Sequence, residues 1–288
     1  MAVYLKKEVW NILEKEDINN ALISLNKFPP TKIVSPLIGA FLHVKEDVCW
    51  KAIIAFGYIV SKIAEIELEK ARIVIRRLIW MLNEESGSMA WGVPEGFAEA
   101  LYNHKVLKNE YLSIFISYIW NPEDTQKYKA DNYLEFPPAQ RGVIWGIGRL
   151  AQKYKNELFE KRAHFHVYKH LIESQDLVVK FLSLWTLNNL FPFPKNFKID
   201  IQKIKESIKI LEKKNFSYLM FDGKEIAQKS IFYLIKKNLK LFKNTFFSLK
   251  MIYILSAMHE IAQTYKNVDF ERIIKTYEEK LEDLRGCL

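Results

Sequence analysis

Between Glu46 and Ile66 the apolar residues Val48, Ala52, Ala55, Phe56, Ile59 and Val60 return at steps of three and four. Steps of that size place side chains on one face of a helix, and an apolar face must be buried against something. The rest of the chain offers mainly further helices for the purpose. Gly (10) and Pro (9) are scarce in 288 residues, whereas sheet proteins need frequent turns rich in Gly, Pro, Asn and Asp. Apolar residues make up 49% and aromatics 14%, which excludes an intrinsically disordered chain.

The same periodicity predicts helices over 4–14, 17–26, 31–43, 68–82, 94–103, 109–120, 139–155, 166–173, 176–190, 199–214, 223–237, 245–265 and 268–284. Asp17 suits an N-cap, and Pro94 suits a first helical turn, where its missing N–H is not needed. No stretch alternates apolar and polar residues between hairpin turns, so no sheet is expected. The longest irregular stretch is 121–138, polar at first and apolar at its end. A second break at 191–196 (FPFPKN) marks the expected boundary between two regions, 1–190 and a Lys-rich 191–288 that continues or caps the first.

Within the first region the pattern repeats. Residues 36–42 form an apolar helix, Glu46 and Asp47 an acidic turn, and 52–63 a second helix with small residues inside it. A helix-interior glycine such as Gly57 costs about 1 kcal/mol relative to Ala, which close approach of a neighbouring helix would offset. Residues 141–153 (RGVIWGIGRLAQK) repeat the form, with Gly146 and Gly148 in the places of Ala55 and Gly57; 178–190 and 251–262 are fainter copies. The pattern over 37–63 and 142–151 resembles the HEAT-like repeats first named from phycobiliprotein lyases. The strings WMLNEESG (80–87), WGVPE (91–95) and RGVIWGIGR (141–149) resemble a bacterial HEAT-like family with no assigned activity. That resemblance covers the first two thirds of the chain. It implies an all-α fold, a right-handed α-solenoid of stacked helical hairpins of the HEAT/armadillo-like kind. It implies no lyase chemistry, and Cys49 reads as a core thiol rather than a point of attachment.

Two four-residue stripes carry the candidate site. Trp91, Glu95 and Glu99 share one helix face, and Arg141, Trp145 and Arg149 share another. In a HEAT-like array the second helix of each hairpin lines the concave side, so both stripes would face one groove. Two readings follow: a ladder of Glu–Arg pairs between neighbouring repeats, or a partner-binding surface that includes Asn83 and Glu84 of the adjoining loop. Trp and Arg are the residues most enriched at binding hot spots. Neither Ser86 nor Ser88 has a base at a recognised spacing, so no catalytic residue is assigned.

Other strings carry less. The G-x-G-x-x-A string at 146–151 has no surrounding βαβ unit, so its glycines read as helix–helix contacts rather than a dinucleotide turn. His166 and His170 stand one turn apart with Glu173 beyond, a zinc-compatible set, but without H-E-x-x-H a wet helix surface is the simpler reading and no metal or cofactor is assigned. Residues 195–250 hold 14 Lys, no Arg and 5 acidic residues, a surplus equal to the whole chain's formal net charge of +9. This segment would let nonspecific nucleic-acid binding occur through the phosphate backbone. The absence of Arg speaks against base readout, and Ile201, Ile204, Ile208 and Leu211 read as the buried stripe of an ordinary solvated helix.

Two isolated cysteines, Cys49 and Cys287, make no disulfide framework or zinc site and suggest a cytoplasmic protein. No leader is expected after Lys6 and Lys7, and no apolar run is long enough to span a membrane. The expected function is an interaction scaffold holding a protein segment, peptide or small ligand on its concave surface. The alternatives are a nonspecific nucleic-acid-binding solenoid, including a base-modifying enzyme on such a scaffold, and an enzyme or metalloprotein using the acidic or histidine cluster.

Overall fold

The computed structural model describes residues 2–84, 91–120 and 132–238. The chain starts with α1 (Ala2–Lys15) and α2 (Ile18–Leu25). Paired helices follow: α3 (Pro30–Ala40) with α4 (Glu46–Ile66), α5 (Leu68–Leu82) with α6 (Val93–Asn103), and α7 (Lys105–Ser117) with α8 (Pro137–Ala151). A short α9 (Lys155–Glu160) precedes the pair α10 (Ala163–Glu173) and α11 (Leu177–Leu190). Then come α12 (Ile201–Lys213), strands β1 (Ser217–Phe221) and β2 (Ile226–Ser230), and α13 (Ile231–Asn238).

Local chemistry explains the boundaries. The Asp17 carboxylate accepts from the Asn19 and Asn20 N–H groups, Asp176 from Val179, and Asp200 from Gln202 and Lys203. Each satisfies N–H groups that the first helical turn leaves unpaired. Pro30 and Pro137 each occupy a first turn, where no N–H is required.

The hairpins stack so that α4, α6, α8 and α11 form one row, each packed on the next, with α3, α5, α7 and α10 outside them. This is an α-solenoid of stacked helical hairpins, and the chain is a helical repeat protein. Helices in the row have neighbours on several sides, so they are apolar nearly all round. In α4, Val48, Trp50, Ile53, Phe56, Ile59, Val60 and Ile63 are all buried. The described part of the Lys-rich segment packs against the end of the row, α12 on α10 and α11, and α13 on α11. No described helix is long and apolar enough to cross a membrane. The expected helices at 245–265 and 268–284, with Cys287, lie outside the described residues, as do Ser86 and Ser88.

One expectation is corrected. The helix expected over 223–237 starts only at Ile231, and β1 and β2 form an antiparallel hairpin where no sheet was expected. The turn explains it. Gly223 adopts a left-handed φ of 98°, and Asp222 Oδ1 accepts from the N–H groups of Lys224 and Glu225. An Asp-Gly pair between apolar residues is a strong hairpin signal.

The small residues of the row do what their positions suggest. A Cβ on Gly57 would lie 2.6 Å from the backbone carbon of Glu99, so α4 and α6 meet almost backbone to backbone there. Gly146 abuts Phe115 and Ala98, and Gly148 abuts Trp185 and Thr186, which accounts for the glycine-rich string inside α8. Gly39 differs, because a Cβ there would meet Trp10 Cζ2 at an ordinary 3.7 Å. Gly57→Ala should therefore destabilise by about 1–3 kcal/mol through overpacking. Gly39→Ala should stabilise by about 0.4–1 kcal/mol by restricting the unfolded chain. Urea denaturation of both variants measures this, and equal effects would contradict the packing described.

Candidate functional site

α6, which carries Glu95 and Glu99, packs on α8, which carries Arg141, Trp145 and Arg149, while Trp91 stands in the turn before α6; the members of the two stripes have different fates. At one end Arg149 Nε donates to Glu99 Oε1 at 2.6 Å, and Arg149 Nη1 donates to Gln152 Oε1 at 2.8 Å. Asn103 Nδ2 supports Glu99 from the other side, and the guanidinium lies 3.4 Å from the centre of the Tyr102 ring. Glu99 is 1% exposed and Arg149 7%, so this is a buried pair joining two repeats. Burial pushes the Glu99 carboxyl up, while Arg149 and Asn103 pull it back. Removing one partner of such a pair costs about 3–5 kcal/mol. The ladder is real at this rung.

At the other end it is absent. Arg141 turns away from α6 and grips Asp176 with two hydrogen bonds, Nε to Oδ1 at 3.0 Å and Nη2 to Oδ2. Burial works to raise the Asp176 carboxyl, yet Arg141 and the Val179 N–H hold it below its ordinary value. Glu95 receives no hydrogen bond or ion pair from any described side chain, and its Oε2 is sealed from solvent without a partner. Its carboxyl group lies against Gly142, where a Cβ would come within 2.6 Å of Glu95 Cδ. Burial pushes the Glu95 carboxyl up from 4.5 to about 7.

Beside Glu95 is a cavity of about 200 Å³. Phe41, at the end of α3, and Glu46, Cys49 and Trp50 of α4 line one side. Trp91 and Glu95 line a second, Phe136 and Arg141 a third, and Tyr218 and Leu219 of β1 close it. Gly92 makes the turn into α6 with a left-handed φ of 81° and with Phe41 Cβ 2.9 Å from where a side chain would begin. Trp91 and Phe136 are 51% and 49% exposed with ring centres 6.0 Å apart, so two large aromatics stand unburied at the cavity. Burial, with Glu95 nearby, raises the Tyr218 hydroxyl above its ordinary value.

The structure thus brings Trp91, Glu95 and Arg141 to one cavity and leaves the buried Glu99, Arg149 and Trp145 out of its lining. Trp145 is fully buried, and its Nε1 donates to the Phe221 carbonyl at 2.8 Å. Asn83 caps the end of α5 through its backbone N–H, and neither it nor Glu84 lines the cavity. His166 and His170 are buried, with His170 Nδ1 2.8 Å from the His166 carbonyl oxygen. Burial pushes His164 down to about 4. Among the described residues no group of three or more His, Cys, Asp or Glu is arranged to hold a metal ion. Of the Lys-rich segment, Lys229 is buried between Asp222 and Glu225, at 2.9 and 2.6 Å. On α12, Ile204, Ile208 and Leu211 are buried as expected, but Ile201 is 40% exposed. Sequence reasoning missed Asp176, Trp50, Phe136 and Tyr218. The N-cap position of Asp176 and the Asp-Gly turn after β1 were the available signals.

No family model matches the chain, and no curated protein matches it. Ten solved chains resemble it, three of them as follows. A designed armadillo repeat protein in complex with the peptide (KR)4 is 16% identical, with 71% of this chain and 90% of that one covered and a TM-score of 0.37. Computationally designed armadillo repeat proteins for modular peptide recognition are 16% identical over 72% and 91%, with a TM-score of 0.36. An engineered protein is 13% identical over 73% and 87%, also at 0.36. With TM-scores below 0.5, these likenesses bear on neither family nor ligand.

The lone carboxyl yields a pH prediction. Glu95 titrates near 7 when folded against an ordinary 4.5, so the folded chain binds its proton more tightly than the unfolded chain. The resulting stability is fully present below pH 4.5 and is lost as the pH rises through about 7. Glu95→Gln cannot ionise and should escape that loss. Its denaturation midpoint should match wild type at low pH, pull ahead across this range and level off above it. Parallel curves at every pH would contradict the burial of an unpaired carboxyl.

Proposed function

We propose that this helical repeat protein is an interaction scaffold that seats a side chain of a protein segment, or a small ligand, in the cavity between α4, α6, α8 and β1. The observation that carries the reading is the pair of exposed aromatics, Trp91 and Phe136, at a cavity holding a carboxyl group with no partner. Large aromatics left in water are costly unless something covers them, and aromatic anchors dominate binding energy where partners meet. A volume of about 200 Å³ is small beside whole-ligand pockets of about 300–1,000 Å³. It suits one side chain or head group.

Trp91, Glu95 and Arg141 contact the ligand in this reading, while Trp145, Glu99 and Arg149 hold the neighbouring helices in register. Asn83 and Glu84 are given no direct contact with the seated group. The two-helix form of the repeats supports HEAT-like units, with 1–190 as the repeat region and the described part of 191–288 continuing or capping it. The free thiol of Cys49 is in keeping with a cytoplasmic setting.

Selection from a random peptide display library tests the proposal. Peptides that bind the protein should be enriched, and Trp91→Ala/Phe136→Ala should weaken them about tenfold or more, the loss expected of an aromatic anchor. Both residues are half exposed, so the variant should keep wild-type thermal stability. Failure to enrich any peptide would overturn the protein-segment reading, and equal binding by the double variant would overturn the assignment of this cavity as the site.

A further inference from the structure

We infer that the group seated in this cavity is an organic ammonium cation, with a trimethylated ammonium favoured over a primary one. The inference rests on the scaffold reading and names the chemistry that the scaffold selects. Five aromatic residues line the cavity: Phe41, Trp50, Trp91, Phe136 and Tyr218. The face of an aromatic ring carries negative potential and attracts cations, and Trp does so best. Two carboxylates, Glu46 and Glu95, share the lining with one cation, Arg141. That cation is already neutralised, because Asp176 holds it through two hydrogen bonds. With Arg141 paired to Asp176, the carboxylates of Glu46 and Glu95 leave the lining net negative when ionised, so an entering cation meets attraction and an entering anion repulsion.

The hydrogen-bonding capacity of the walls selects among ammonium groups. A primary ammonium brings three N–H donors that all need acceptors once water is stripped away. Glu95 Oε2 is sealed against Gly142 and does not accept from them, which leaves Glu95 Oε1 and the exposed Glu46 as the lining's carboxylate acceptors for three donors. The charge of Glu95 still acts across the short gap, since the low-dielectric surroundings screen it weakly. A trimethylammonium brings no donor, presents only methyl groups to the rings, and is attracted by both the rings and the charge.

Three probes separate the contributions: choline, its neutral carbon isostere 3,3-dimethylbutan-1-ol, and the smaller primary amine ethanolamine. Each is titrated at pH 8 into the full-length protein, and into Glu95→Gln and Trp91→Ala, with binding followed by ligand-observed NMR. The inference expects choline to bind at least about tenfold more tightly than the carbon analogue, with ethanolamine weaker than choline. Glu95→Gln should weaken choline several-fold and leave the carbon analogue unchanged, whereas Trp91→Ala should weaken both. Ethanolamine equal to choline would support the ammonium site and remove the preference for methylation. Equal binding of choline and the carbon analogue, or no effect of Glu95→Gln, would overturn the inference while leaving an apolar scaffold pocket. Absence of binding by all three probes would also overturn it. Display-selected peptides that still depend on Trp91 and Phe136 would then show that the scaffold proposal stands without it.

Discussion

Two indole hydrogen bonds hold the site together. Trp50 Nε1 on α4 donates to the Leu219 carbonyl at 3.1 Å, and Trp145 Nε1 on α8 donates to the Phe221 carbonyl at 2.8 Å. Leu219 and Phe221 are two residues apart on β1, so their carbonyls point the same way, off the edge that β2 does not cover. A two-stranded hairpin is marginal by itself and leaves such an edge unpaired. Here the helix row supplies the missing partners, and Gln152 Nε2 adds a third bond to the Asp222 carbonyl at 2.8 Å. The two indoles also pack against each other with ring centres 4.9 Å apart. Clamped in this way, β1 brings Tyr218 and Leu219 to the cavity as its closing wall.

The same helices show why one carboxylate is structural and another is available. Glu95 and Glu99 are one turn apart on α6, and Arg141 and Arg149 are two turns apart on α8. Glu99 meets Arg149, and the pair is buried within a network that runs through Gln152 to the hairpin turn. Glu95 would have its own partner if Arg141 pointed inward, but Asp176 competes for that guanidinium and wins. Asp176 is fixed in place because it also caps α11. A capping residue on one repeat thus determines the free charge on another.

Much of this was legible in the sequence, in proportion to how local the physics was. The period of Val48 to Val60, the cap at Asp17, and the small residues at Gly57 and Gly146 are short-range facts, and the stacked hairpins follow from them. The second strand of the hairpin, Ile226–Ser230, falls within the helix expected over 223–237, and the first, Ser217–Phe221, within no expected element. That first strand does not alternate cleanly, since Met220 and Phe221 are both buried, and only the Asp-Gly turn announces it. α6 and α8 pack side by side. Which Arg meets which carboxylate depends on Asp176, 35 residues from Arg141, and spacing along one helix says nothing of that. Tyr218 reaches the cavity only through the clamped strand, for the same reason.

The most direct test of this account is hydrogen exchange at the indole N–H groups, followed by NMR in wild type and in Gly223→Val. Gly223 holds a φ of 98° and lies against Gln152 at the end of α8, so a β-branched side chain there should strain the turn and loosen the hairpin from the helix row. In wild type the Trp50 and Trp145 indoles should exchange far more slowly than that of Trp80, which is 64% exposed. In the variant both should lose protection together, while Trp10, bonded to the Pro36 carbonyl between α1 and α3, keeps its own. If Trp50 and Trp145 exchange as fast as Trp80 in wild type, or stay protected when the hairpin turn is broken, the strand does not clamp across the helices and the cavity is not built as described.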